Sequence, residues 1–258
     1  MSGKVYLIGA GPGDPELLTL KAHRILQSAD VVVYDRLVSP EILDLVPDGV
    51  TRLDVGKRPQ NHPVPQEEIN ALLVTLARAG RTVVRLKGGD PLMFGRGGEE
   101  ALVLHAAGIP FEIVPGVTAA QGSAAAAMVP LTHRGIASGV RYLTGHCRAD
   151  ADLDFDWDGL SDPDTTLVLY MGLANIATIA AALIAHGRAP STPVLAISNA
   201  TRKNERRLRA SLGDIAQAIR GAELESPVLF IIGEVVALSA LEEVAADASC
   251  AEYLAAAE

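Results

Sequence analysis

Cysteine is nearly absent: Cys147 and Cys250 are the 2 in a chain of 258 residues. That excludes a disulfide-stapled secreted scaffold, and the pair matches no metal-ligand spacing, so a reducing compartment, the cytoplasm, is the expected setting. Basic residues are outnumbered, 22 Lys and Arg against 31 Asp and Glu, giving a formal charge of −9. Proteins that grip a nucleic-acid backbone cluster Lys and Arg to release its counterions, so no nucleic-acid partner is expected. No apolar run approaches the roughly 20 residues a membrane helix needs. The stretch from Gly122 to Leu131 is too short, and Glu234 interrupts the late one. No membrane partner is expected, nor a targeting signal, because the apolar Val5 to Ala10 runs straight into Gly11-Pro12-Gly13-Asp14 rather than a cleavage site.

What is present is the composition of a globular protein, 49% hydrophobic and 21% charged, which excludes global disorder. The length allows one large domain or two small ones. Short β-branched runs alternate with longer segments of helical period, the pattern of an α/β protein with mostly parallel sheet. Strands are expected at 5–9, 31–35, 51–56, 82–88 and 111–115, with helices led by Pro15, Pro40, Gln66 and Glu99 between them. A second series is expected at 141–145, 166–171, 193–199 and 228–236. Two α/β domains follow, 1–116 and 117–240, with 241–258 as a tail.

Between Asp150 and Asp164 lie 7 aspartates, and Asp154, Asp156, Asp158 and Gly159 open like a calcium-binding loop. The twelfth position is Thr165 where a bidentate Glu is required, so the segment reads as a solvated acidic linker, with no metal expected. The basic residues Arg202, Lys203, Arg206, Arg207 and Arg209 read as a solvated loop.

Two glycine clusters stand at strand ends. The first, Gly9-Ala10-Gly11-Pro12-Gly13-Asp14, fails the dinucleotide fingerprint because Asp14 stands where the third Gly belongs, and Pro12 lacks the N–H a phosphate cradle would use. The second runs from Lys87-Gly88-Gly89-Asp90-Pro91 to Met93-Phe94-Gly95-Arg96-Gly97-Gly98-Glu99-Glu100. In open parallel sheets ligands bind beyond the carboxyl ends of strands, and glycines there let main chain touch ligand. Arg96 and Glu99, three apart at a helix start, are placed to face one cleft or to form an ordinary exposed ion pair.

These clusters, taken with Tyr34-Asp35-Arg36-Leu37, Val55-Gly56-Lys57-Arg58, Arg85-Leu86-Lys87, Val114-Pro115-Gly116-Val117-Thr118-Ala119, Pro130-Leu131-Thr132-His133-Arg134, Thr144-Gly145-His146 and Tyr170-Met171-Gly172-Leu173, resemble the tetrapyrrole methylases. The resemblance runs from about Lys4 to about Leu238 and is closest to the members acting on uroporphyrinogen III. It implies a homodimer of two-domain chains with the active site in the cleft between the domains. It also implies two successive methyl transfers from S-adenosyl-L-methionine to uroporphyrinogen III, giving precorrin-2 by way of precorrin-1. On this resemblance Asp35 matches the proton acceptor and Lys57 the proton donor. The substrate's eight carboxylates call for fixed cations, and Arg96 and Arg134 are the expected clamps, with Glu99 orienting one of them. Pro12, Gly88, Gly89, Asp90, Met93, Thr118, Ala119, Met171 and Ala200 match the donor-binding positions.

The chain departs from the family pattern at Gly135, where Asp is usual after Thr-His-Arg, at Ala200, where Gly is usual, and at Glu205, where a Gln is usual. A methylase of a later corrinoid is the nearest alternative. A nicotinamide-dependent oxidoreductase is disfavoured by the broken fingerprint.

Overall fold

The computed structural model describes residues 3–56, 64–146 and 153–240. Lys57, both cysteines and the tail 241–258 lie outside them. The described chain forms two compact units, the first running to Gly122 and taking in Thr201–Lys203, the second comprising Ser123–Ala200 and the residues from Asn204 onward.

In the first unit the chain order is β1 (Lys4–Gly9), a 3-10 turn (Pro15–Leu17), α1 (Leu20–Leu26), β2 (Val31–Tyr34), α2 (Pro40–Leu43) and β3 (Thr51–Asp54), then α3 (Gln66–Arg78), β4 (Thr82–Lys87), α4 (Gly97–Ala106) and β5 (Phe111–Val114). The strands form one sheet in the order β3-β2-β4-β1-β5, and every pairing is parallel. Strand alternation explains its two buried faces. On one face Val32, Val84, Leu86 and Ile8 pack under α1 and α2 through Ala22, Ile25, Leu26 and Ile42. On the other, Val31, Val33, Val83, Val5 and Leu7 pack under α3 and α4 through Ile69, Leu73, Ala77 and Leu104. The spacing of Ile69, Leu73 and Ala77 places them on one stripe of α3. Glu67 and Glu68 in its first turn and Arg78 in its last complement the helix dipole. The Thr19 hydroxyl caps α1 by accepting the Ala22 N–H at 3.1 Å.

The connection after β1 crosses one face of this sheet and the connection after β4 crosses the other, although β1 and β4 are neighbours. A crevice therefore opens beyond their carboxyl ends, and the two glycine clusters are the loops that line it.

Helix α5 (Ala119–Ala126) follows, then β6 (Gly139–Thr144), α6 (Trp157–Leu160), β7 (Thr165–Tyr170), α7 (Ile176–Ala185), β8 (Pro193–Ser198), β9 (Arg206–Ser211), α8 (Ile215–Gly221), β10 (Val228–Ile232) and a 3-10 segment (Glu234–Ala240). The second sheet runs β6-β7-β10-β8-β9. Only β6 with β7 is parallel, and the three pairings involving β10 and β8 are antiparallel, so this sheet is mixed and not mostly parallel. The expected strand at 228–236 ends at Ile232, where Gly233 at φ 149 turns the chain into the 3-10 segment. Arg206, Arg207 and Arg209, expected in a loop, belong to edge strand β9, whose Leu208 and Ala210 pack on the core while Arg207 and Arg209 take the opposite face and Arg206 lies exposed at the strand's start. The acidic segment is likewise no free linker: Leu153, Phe155 and Trp157 pack on the same core, and Asp156 caps α6.

Candidate active site

The first two glycine loops are zipped together by backbone. Gly11 donates to the Gly89 carbonyl at 3.1 Å and Gly89 donates back to the Gly11 carbonyl at 2.7 Å. Gly11 (φ 75) and Gly89 (φ 70) adopt the left-handed conformation, which is why neither position suits a side chain. A third loop closes on them. Asp90 accepts the Gly116 N–H at 3.1 Å through one oxygen and the Leu92 N–H at 2.8 Å through the other. Pro12, Gly88, Gly89, Asp90, Thr118 and Ala119 are thus brought together beyond β1, β4 and β5. A Cβ on Gly88 would lie 2.6 Å from the Leu37 Cβ, so the loop after β2 abuts this cradle too. The Thr118 hydroxyl hydrogen-bonds Gln121, and Met93 is half-buried beyond Asp90.

Asp35 follows β2 directly, at the same edge of the sheet. Its Oδ1 accepts the Leu37 N–H at 3.0 Å, and its Oδ2 lies 3.6 Å from Arg85 Nη2. Arg96 takes φ 59 at the N-terminus of α4 and grips Glu99 with two parallel bonds, Nε to Oε1 at 2.8 Å and Nη2 to Oε2 at 2.7 Å. This paired carboxylate raises the Arg96 pKa further, so the guanidinium stays charged. The pair is exposed, 54% and 53% for the two side chains, so the arginine is presented to solvent in a fixed orientation.

In the second unit Met171 follows β7 at φ 53 and is 50% exposed, a large apolar side chain in a strained backbone conformation. Arg134 is exposed on the wall of a cavity of about 500 Å³ that His133, Ser138 and Asp164 also line. Gly135, the departure beside it, has φ 78 and open space where a Cβ would stand, so the conformation, not crowding, favours glycine. Ala200 sits between Asn199 (φ 50) and Thr201 (φ 66). The Glu205 carboxylate accepts Arg207 Nε at 2.6 Å, which turns the usual amide position into half of an ion pair.

Two features escaped the sequence reading. Thr201 accepts the Asp14 N–H at 3.2 Å, and Arg202, next along, donates to the Leu37 carbonyl while its chain lies against Gly13. Arg202 is therefore packed and not a solvated loop cation, and burial lowers its pKa. The other feature is a buried charged cluster. Glu100 is 0% exposed, and its Oε1 accepts from Arg85 Nε at 3.0 Å, Lys87 Nζ at 3.1 Å and Gln66 Nε2 at 3.2 Å. Its Oε2 has no hydrogen-bond partner among the described residues. Burial pushes the Lys87 ammonium below its ordinary pKa, with the Arg85 charge adding to the shift against the pull of Glu100. The visible signal was Arg85 and Lys87 two apart at the end of an otherwise apolar strand, a pattern that places both on one buried face.

The loops at the carboxyl ends of the all-parallel sheet form, within the first unit, a cradle suited to a small ligand held by main chain, and the second unit by itself presents the exposed apolar Met171 turn. Residues 4–216 match the family described as Tetrapyrrole (Corrin/Porphyrin) Methylases, and the chain belongs to that family. It is 60% identical over 237 residues to a uroporphyrinogen-III C-methyltransferase of Paracoccus denitrificans, covering 92% of this chain and 83% of the relative. It is 53% identical over 236 residues to a siroheme synthase of Stutzerimonas stutzeri, of which it spans 50%. A crystal structure of the uroporphyrin-III C-methyl transferase from Thermus thermophilus, complexed with S-adenyl homocysteine, superimposes with a TM-score of 0.78 at 46% identity, covering 92% of this chain and 100% of that one. No helix among the described residues is long and apolar enough to cross a membrane.

Proposed function

We propose that this chain methylates uroporphyrinogen III twice, using S-adenosyl-L-methionine, to give precorrin-2 by way of precorrin-1, the shared precursor of siroheme and cobalamin. The observation that carries the choice of substrate is the 60% identity to the Paracoccus enzyme across 92% of this chain. The cradle supports the choice of donor. Gly11 and Gly89 place no side chain of their own over its main chain, and Met171, in the second unit, offers exposed apolar surface, features that suit an adenosine and a sulfonium. Pro12, Gly88, Gly89, Asp90, Met93, Thr118, Ala119, Met171 and Ala200 are the residues proposed to hold the donor. Asp90 does so by pinning the Gly116 loop, since both its oxygens accept backbone N–H groups.

S-adenosyl-L-methionine supplies, when bound, an electrophilic methyl group that a pyrrole carbon of the reduced tetrapyrrole can take directly. The protein's share is therefore positioning and proton removal. Arg96, preset by Glu99, and Arg134 hold substrate carboxylates through the guanidinium fork. Asp35 Oδ2 accepts the proton the methylated ring gives up, and Lys57 is the paired donor. The working state is a cytoplasmic homodimer. Anaerobic incubation with S-adenosyl-L-methionine and enzymatically generated uroporphyrinogen III tests the reading. The expected product carries two added methyl groups, with one S-adenosylhomocysteine released per methyl. Methylation of a later corrinoid with none of uroporphyrinogen III overturns it.

A further inference from the structure

We propose that Arg85 is a positioning residue that ties the proton acceptor Asp35 to the buried Glu100, an inference that rests on the role given to Asp35 above. Each nitrogen of its guanidinium has its own direction. Nε is anchored on Glu100 Oε1 at 3.0 Å, Nη1 on the Leu86 carbonyl at 3.1 Å, and Nη2 faces Asp35 Oδ2 at 3.6 Å. Arg85 is 3% exposed and Asp35 23%, so the guanidinium spans from the core to the solvent-facing end of the sheet. Register makes this possible. Val33 and Arg85 are paired across the parallel strands β2 and β4, which puts Asp35, two residues on, at the mouth of the face that holds Arg85, Lys87 and Glu100.

Charge counting explains why the link is held. Glu100 alone faces Arg85 and Lys87 in the interior, one anion for two cations, and buried charge without a counter-charge is costly. Asp35 is the second anion that completes the balance, so its carboxylate is held toward the sheet where a flexible surface carboxylate would wander. Lysine keeps the charge of Arg85 but not its three-way fork, and so cannot hold Glu100 and Asp35 together.

The test is a double-mutant cycle on turnover of uroporphyrinogen III, with S-adenosylhomocysteine affinity and the unfolding midpoint read on each variant. Arg85→Lys is expected to lower kcat about tenfold or more while KM for both substrates stays within about twofold, because the effect passes through a positioned group. In an Asp35→Asn background the same substitution is expected to change kcat by less than about twofold, because nothing remains to be positioned. Equal losses in the two backgrounds, or wild-type kcat in Arg85→Lys, overturn the proposal. Asp35→Glu leaves the core untouched and decides the matter if Arg85→Lys does not fold. Displacing the carboxylate by one methylene is expected to lower kcat comparably, and full activity there also overturns it. Wild-type turnover in Asp35→Asn instead overturns the role of Asp35 itself, a result distinct from the others.

Discussion

Gly9 and Gly116 are packed backbone to backbone. A Cβ on Gly9 would stand 2.6 Å from the Gly116 nitrogen, and one on Gly116 would stand 2.8 Å from the Gly9 carbonyl carbon and 2.4 Å from the Gly89 oxygen. The three loops beyond β1, β4 and β5 meet at close main-chain contact, pinned by the Asp90 carboxylate on the Gly116 N–H, and that contact sets the shape of the cradle. Gly116→Ala is expected to destabilise the fold by about 1–3 kcal/mol through overpacking and to weaken S-adenosylhomocysteine binding measured by calorimetry. Gly98→Ala, where a Cβ meets nothing within 4 Å, is expected to leave binding unchanged and to raise stability by about 0.4–1 kcal/mol.

Met171 separates strain from function. Glycine relieves its left-handed backbone while alanine does not, so Met171→Gly is expected to be more stable than Met171→Ala by about 1 kcal/mol. Both remove the exposed apolar side chain, and both are expected to weaken donor binding by about tenfold, consistent with partial burial of a methionine against ligand. Equal stability of the two variants in thermal unfolding would show that φ 53 at this position carries no strain.

Arg96→Lys keeps a cation beside Glu99 but loses the paired bonds. The expected result is a KM for uroporphyrinogen III raised about tenfold with donor affinity unchanged, since a bidentate carboxylate grip is lost and a point charge retained.

The buried cluster predicts a stability hierarchy. Glu100→Ala leaves Lys87 without its buried ion-pair partner and Arg85 with Asp35 alone, and is expected to cost about 3–5 kcal/mol in denaturant unfolding. Adding Lys87→Met to Glu100→Gln removes the surplus cation, and that double variant is expected to be more stable than Glu100→Gln alone.

At the opposite edge of the first sheet, Glu112 is bonded by Lys21 and Lys4, which pull its pKa from an ordinary 4.5 to about 2. A depressed carboxylate pKa stabilises the folded state above its ordinary range and loses that contribution as pH falls through the folded value. The stability difference between wild type and Glu112→Gln is therefore expected to be constant at neutral pH and to shrink to zero as pH falls from about 4.5 through about 2. NMR titration of the Glu112 carboxyl carbon checks the midpoint.

The first unit was legible because its strands are apolar β-branched runs punctuated by Gly and Pro, as at Val31-Val32-Val33 before Asp35 and at Lys87-Gly88-Gly89. Edge strand β9 was not: in Arg206-Arg207-Leu208-Arg209 a single leucine carries the inward face, and the charges hide the alternation. The same masking hid Leu153, Phe155 and Trp157 among aspartates. Arg85, Lys87 and Glu100 were read as motif letters, because periodicity carries no information about which distant charges meet in the interior. The antiparallel placement of β10 between β7 and β8 depends on packing of the whole second core, which no local window contains.

Transfer of a carbon-13-labelled methyl group from S-adenosyl-L-methionine to enzymatically generated uroporphyrinogen III, followed by NMR of the product, tests the assignment most directly. The account predicts two labelled methyl groups, each bonded to a ring carbon of the tetrapyrrole. Label recovered only in unreacted donor, or on a different acceptor, would contradict it.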